Sequence, residues 1–202
     1  MKFTPDNMRL SLGGFYKIGQ VLCSLETAKL KQREVEVLDQ TGFFGFLPEK
    51  VNWGISMYGE QKLTVEEVEY LRDYFHQRLR RAGAIKGKYR FAKRPQDEAS
   101  PEVISADIAK KQTVDILVAV IDSRCYFGLT EIVSDHEGFR RRDLGRPVQK
   151  PVISIPPKLA RILGNLSGVK PGEILLDPFC GIGTILQEAL IIGSDIDRKS
   201  VV

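Results

Sequence analysis

Between Glu173 and Asp197 the chain reads EILLDPFCGIGTILQEALIIGSDID, and this stretch constrains the fold more than any other. Glu173 to Asp177 is a short apolar strand ending in a carboxylate. Cys180-Gly181-Ile182-Gly183 is a turn in which backbone can approach a ligand without a Cβ in the way. Thr184 opens a helix, and Ile191 to Asp195 reads as a second short apolar strand that again ends in a carboxylate. A strand, a glycine loop and a helix in this order open a doubly wound α/β sheet.

The turn carries its own chemical message. A dinucleotide fingerprint places a third glycine where this chain has Leu186, so the pyrophosphate version is incomplete. An adenosine cofactor without a pyrophosphate fits better. S-adenosylmethionine would lay its amino-acid part over the glycine turn and offer its ribose hydroxyls to an acidic residue at the end of the next strand. The residues expected to line such a site are Asp177, Phe179, Gly181, Gly183, Thr184, Asp195 and Asp197. Asp195 is the first candidate for the ribose and Asp197 the second. Cys180 is read as a small turn residue, because no histidine is near it in sequence to activate a nucleophile.

The remaining 172 residues before this stretch divide by pattern. Met8 to Leu47 alternates apolar and polar runs with glycine punctuation and predicts a small β-rich module. Within it Phe15 to Leu22 and Val35 to Leu38 read as strands, and Gly42 to Phe46 as a turn. Val51 to Tyr58 is a further strand. Thr64 followed by Glu67 is a capping box. Val68, Leu71, Phe75, Leu79 and Ala82 then recur on one helical face, with Gly83 as the stop. Ser100-Pro101 opens a shorter helix with Val103, Ile104 and Ile108 inward. Val114 to Ile121 is a buried strand, Asp122-Ser123 a tight turn, and Arg124 to Val133 the returning strand. Asp135 to Gln149 reads as a charged connector. Pro156-Pro157 starts a helix whose apolar face ends at Leu166.

Charge is distributed unevenly, although the net charge is only +4. No acidic residue lies between His76 and Gln96, a window that holds Lys86, Lys88, Arg90, Lys93 and Arg94 with Tyr89 and Phe91 interleaved. A second run holds Arg140, Arg141, Arg142, Arg146 and Lys150, continued by Lys158 and Arg161. Two such patches predict a polyanionic partner bound through phosphates, with salt-sensitive affinity and little base specificity. The ten residues from Lys86 to Lys150 named above are the candidate RNA contacts. No apolar run reaches the ~18 residues of a membrane span. Three scattered cysteines suggest neither a zinc site nor a disulfide framework and fit a reducing, cytoplasmic setting. The two histidines, His76 and His136, are read as surface or loop residues.

The stretches DLGRP and PPKLARILGNLSGVKPGEILLDPFCGIGT resemble the THUMP-containing tRNA guanosine-10 N2-methyltransferases. VDILVAVIDSRCYFGLTE resembles the last strands of a THUMP domain, and RLSLGGFYKIGQVL a strand pair of the family's N-terminal ferredoxin-like domain. The resemblance implies an α/β chain with an α+β N-terminal part. A partial ferredoxin-like domain would span 1–50, a THUMP-like RNA-binding domain 51–135, a basic linker and helix 136–165, and the truncated start of a Rossmann-like methyltransferase domain 166–202. It further implies methyl transfer from S-adenosylmethionine to the exocyclic N2 of a guanosine in tRNA. Some relatives also use a small activating methyltransferase subunit.

Three departures qualify that expectation. The family's Asp/Asn-Pro-Pro-Tyr catalytic motif does not occur in the 202 residues, so the chain alone is expected to be inactive. The spacing from glycine turn to acidic residue is short for a helix, turn and strand. The N-terminal portion is short for a complete ferredoxin-like domain. A partial sheet would also leave Ile174, Leu175, Leu176, Ile191 and Ile192 uncovered and the segment from Glu173 onward weakly protected, since such sheets require helices on both faces. The competing reading is a stand-alone THUMP-type RNA-binding module with a vestigial cofactor domain.

Overall fold

A computed structural model describes residues 12–35, 37–40, 52–59, 61, 63–82, 88–89, 108, 113–145 and 154–198. The chain forms two compact units, one of Ile18–Glu131 and one of Met1–Lys17 with Ile132–Val202.

The central unit, Ile18–Glu131, is built on a four-stranded sheet. Its strands are β1 (Lys17–Glu26), β2 (Asn52–Gly59), β3 (Thr113–Ile121) and β4 (Arg124–Val133), in the order β1-β4-β3-β2. Residues from either side of position 50 therefore share one sheet. β2 and β3 are parallel, with Ile55 opposite Ile116. β3 and β4 are antiparallel, with Val118 opposite Phe127. The Asp122-Ser123 turn joins β3 to β4, and Asp122 takes a positive φ of 53° that tight hairpin turns demand.

The described helices of this unit include α1 (Thr27–Lys31), α2 (Val37–Gln40) and α3 (Val65–Arg81). α3 begins where the sequence places it. The Glu67 N–H donates to Thr64 Oγ1 at 3.2 Å, and the Thr64 N–H donates to Glu67 Oε2 at 2.7 Å, closing the capping box. Val68, Leu71, Phe75 and Leu79 are buried, and they pack in one core with Trp53, Ile55, Ile116, Val118 and Phe127. Ala82 is the exposed C-cap rather than a core position.

The expected strand at Val35 to Leu38 is instead the approach to α2. Val35 and Leu38 are both buried, so the pair three apart takes a helical period over the strand's period of two. Side chains of α3 fix that segment: the Tyr74 hydroxyl donates to Asp39 Oδ1 at 2.6 Å, Arg78 pairs with the same carboxylate, and the Tyr70 hydroxyl donates to the Arg33 carbonyl at 2.8 Å. Burial, aided by the Asp39 carboxylate, raises the Tyr74 pKa. The expected turn at 42–46 and most of the expected helix from 100 onward lie outside the described residues. Ile108, within that helix, is helical and half-buried.

The second unit holds α4 (His136–Leu144), α5 (Pro157–Leu166), β5 (Ile174–Asp177), α6 (Thr184–Ile191) and β6 (Asp195–Arg198). The charged connector expected over 135–149 is a helix in its first half. Asp135 caps it by accepting the Gly138 N–H at 3.2 Å, and Phe139 is its one buried residue. A single inward side chain leaves no apolar period to read, which is why the sequence pattern conceals this helix. α5 is also turned from its expected orientation. Pro157, Ala160, Arg161 and Gly164 are buried, whereas Leu159, Leu163 and Leu166 are exposed. α5 packs against α6.

β5 and β6 form a two-stranded parallel sheet. Residues 178–194 cross between them, enough for the helical crossover that parallel strands require, so the short spacing is accommodated. Ile174, Leu176 and Ile191 are exposed, as expected for uncovered sheet and helix surface; Leu175 and Ile192 are half-buried.

Candidate functional site

The site is assembled from backbone first. β5 stops at Asp177, whose Oδ1 accepts the Phe179 N–H at 3.0 Å and so bends the chain away from the strand. The Gly183 N–H then donates to the Cys180 carbonyl at 2.7 Å. Gly181 and Gly183 take φ of 50° and 79°, the left-handed region. A Cβ built on either would meet no atom within 4 Å. Backbone conformation therefore demands glycine here, and the space above the turn is open to a ligand.

Gly183 is also the N-cap of α6 and supplies no side-chain cap. The first N–H groups of a helix have no intrahelical partners, and its N-terminus is a favourable environment for a carboxylate or another electron-rich group. Asp177 is half-buried, Thr184 is buried, and Phe179 stands 85% exposed beside the turn. Five of the seven expected cofactor residues thus lie within one continuous turn of chain.

The two acidic residues are distributed differently. Ile191 is the last residue of α6 and Ile192-Gly193 is its turn, so 191–195 is not the expected strand. β6 begins at Asp195, which sits opposite Ile174, while Asp197 sits opposite Leu176 and Arg198 opposite Asp177. Three strand residues, about 10 Å, separate Asp195 from the level of Asp177. Asp195 therefore occupies the end of the two-stranded sheet level with Ile174, away from the level of Asp177. Asp197 is two positions closer.

Among the expected RNA contacts, Lys86, Arg90, Lys93, Arg94, Arg146 and Lys150 lie outside the described residues. Lys88 is exposed at the outer edge of β2, where its N–H donates to Asn52 Oδ1 at 2.9 Å and its carbonyl accepts the Trp53 N–H at 3.2 Å. The next residue, Tyr89, packs its ring 4.7 Å from that of Trp53, and burial pushes its hydroxyl up to about 12. Arg140 and Arg141 are exposed on α4, with Arg141 paired to Glu137 at 3.2 Å. Arg142 differs: its side chain is 20% exposed and it forks onto Glu188 through Nε at 2.6 Å and Nη2 at 3.3 Å. Arg161, part of the same basic run in sequence, is buried and donates through Nη2 to Glu188 at 2.5 Å.

Sequence reasoning passed over Glu188. The available signal was its position one turn after Thr184, on the side of α6 that Leu186 and Ala189 also bury. It likewise passed over Tyr16, whose ring stacks on His136 at 5.4 Å and carries Lys158 Nζ 3.6 Å from its centroid. Burial pushes the Cys23 thiol up to about 11 and raises that of Cys125 as well, so neither is a thiolate near neutral pH. No helix among the described residues is long and apolar enough to cross a membrane.

Residues 146–201, which include the glycine turn, match the family model described as UPF0020, RMKL-like, methyltransferase domain. The tRNA (guanine(10)-N2)-dimethyltransferase of Methanothermobacter thermautotrophicus is 39% identical over 106 residues, 48% of this chain and 30% of that protein. The enzyme of the same name from Methanocaldococcus jannaschii is 41% identical over 85 residues, 41% of this chain and 24% of that protein. The chain is a sequence relative of these methyltransferases. It spans less than a third of the length of either of them. Among solved structures, one described as a possible methylase from Clostridium difficile 630 superimposes with a TM-score of 0.54 at 17% identity, over 94% of this chain and 44% of that one. At that identity the likeness concerns the fold alone, a mixed α/β fold shared with methylases.

Proposed function

We propose that the protein carrying this sequence is an S-adenosylmethionine-dependent tRNA methyltransferase that modifies the exocyclic N2 of a guanosine, at position 10. One observation carries the reading: a left-handed glycine turn, open above Gly181 and Gly183, leads into the uncapped α6 within the segment that matches a methyltransferase domain. In the proposal residues 1–50 belong to a ferredoxin-like part, 51–135 form the THUMP-type RNA-binding part, and residues from 166 onward open the Rossmann-like methyltransferase part. A cytoplasmic setting and a small activating subunit belong to the same reading.

The residues present fit the cofactor. The α6 N-terminus and the turn from Asp177 to Thr184 would hold its amino-acid part, and β6, which carries Asp195 and Asp197, would supply the ribose contact. When bound, it supplies an electrophilic methyl group on sulfonium. Phe179, exposed beside the turn, offers a flat apolar surface at the rim. Lys88, Arg140 and Arg141 would hold tRNA phosphates without reading sequence. The guanine amine lone pair is delocalised into its ring, so the remaining work is positioning, and the base must leave its helix to be reached. The Asp/Asn-Pro-Pro-Tyr residues that the family resemblance assigns to that step do not occur in the 202 residues.

Titration calorimetry with S-adenosylmethionine and its demethylated product tests the cofactor part directly. Gly183→Ala is expected to weaken binding about tenfold, because the left-handed backbone costs a residue with Cβ roughly 1–2 kcal/mol. Gly168→Ala is the control. Gly168 has an equally positive φ of 74° with open space around it, but it follows α5 rather than the turn. It should lose stability and keep its affinity. Equal affinity in wild type and Gly183→Ala would refute the assignment, and no binding by the wild type would favour the RNA-binding module.

Binding of tRNA should weaken steeply with salt. Its log–log slope should fall in magnitude by about 1 for each of Arg140→Ala and Arg141→Ala, by a similar amount on every tRNA tested. A slope unmoved by both substitutions would remove α4 from the RNA surface.

A further inference from the structure

Three helices of the second unit meet on one carboxylate. Glu188 of α6 is fully buried and accepts hydrogen bonds from Arg142 of α4 and Arg161 of α5. The Phe139 ring lies beside both guanidinium groups, at 4.9 Å from the Arg142 carbon and 5.6 Å from that of Arg161. The Arg161 stem is held from behind by Gly13, where an added Cβ would come within 2.7 Å of Arg161 Cγ. Nothing in the reaction requires these charges to be there.

We propose that Glu188, clamped by Arg142 and Arg161, is a positioning residue that sets the direction of α6 and so aims the glycine turn at the cofactor. The inference rests on the reading that this turn holds S-adenosylmethionine. Its support is geometric. Two hydrogen bonds shape the turn from within, Phe179 N–H to Asp177 and Gly183 N–H to the Cys180 carbonyl, but no side chain packs where a Cβ on Gly181 or Gly183 would stand and α6 lacks a side-chain cap. Its aim must come from the elements at its two ends. Glu188 lies one turn beyond Thr184, close enough that a small rotation of α6 moves the first N–H groups directly. Apolar packing could hold the helices together, but it is non-directional, whereas a forked guanidinium–carboxylate pair fixes angles as well as distance. Burial of three charges is a poor source of net stability, because desolvation offsets much of the attraction. What it contributes is orientation.

The test separates orientation from stability. Arg142→Lys keeps the positive charge but loses the fork, and its partly exposed position allows the chain to fold. The triple variant Arg142→Leu, Arg161→Met, Glu188→Leu replaces the clamp with apolar packing of similar volume. For each, the thermal midpoint and the affinity for S-adenosylhomocysteine are measured on the full chain. The expected result is a thermal midpoint within a few degrees of wild type for both, with affinity about tenfold weaker, as misplacement by a fraction of an ångström produces. Wild-type affinity in Arg142→Lys overturns the positioning role, whether or not the triple variant folds. So does wild-type affinity in a folded triple variant. A wild type that binds no S-adenosylhomocysteine overturns instead the cofactor reading beneath it.

Discussion

Phe75→Ala is expected to lower the stability of the central unit by about 3–5 kcal/mol, the range for removing a buried aromatic ring from a core. Phe75 is fully buried on α3, its ring at 6.3 Å from that of Phe127 on β4 and edge-on to Tyr74 at 5.6 Å. It is thus the side chain through which the long helix grips the sheet. The cavity left behind cannot be filled by Leu71 or Leu79, which are themselves buried and committed to the same core. A domain of this size has about 5–15 kcal/mol of stability in all, so the loss takes a large share. Urea unfolding followed on the central unit should show a lower midpoint at an unchanged slope. A loss below about 1 kcal/mol would mean that α3 is not anchored at this position.

Glu188→Ala is expected to cost the second unit a similar amount, about 3–5 kcal/mol, by a different mechanism. The substitution deletes less volume than Phe75→Ala, and the charge it leaves behind matters more. It leaves Arg161, 2% exposed, as a buried cation without its hydrogen-bonded carboxylate, with Asp135 as the weaker remaining attraction. Burial already draws the Arg161 pKa down, and Glu188 is the largest influence holding it up. An arginine does not escape by deprotonation, so α5 must move or the unit must open. Amide hydrogen exchange along α6 measures this directly, because protection there reports the opening free energy of the unit. Arg141→Ala sets the scale of a surface pair, since its partner Glu137 is exposed, and should change stability by less than about 1 kcal/mol. Indistinguishable exchange in Glu188→Ala and Arg141→Ala would show that the buried clamp adds nothing to the unit.

Comparison of expectation and structure shows where local physics suffices. The Thr64–Glu67 box, the paired strands around Asp122-Ser123 and the glycine turn before Thr184 are each decided within a few residues, by a cap, a turn or a backbone angle. The sequence displays these directly. The level of the acidic residues after α6 is not legible locally, because the register of β6 depends on its pairing with β5, which places Asp195 opposite Ile174. A strand of four residues with no flanking apolar period cannot announce that register by itself.

What the sequence determined alone was the kind of site: an open bend, made by glycines in left-handed backbone, at the start of a helix. Which charges face solvent and which hold the protein together was decided only in three dimensions. Arg140 and Arg141 are exposed, while Arg142 and Arg161 are drawn inward by Glu188, which lies 46 and 27 residues away from them. In a list of residues all four are equivalent cations. They become different because a charge leaves water only where a distant partner is already in place to meet it, and that meeting is a property of how helices pack.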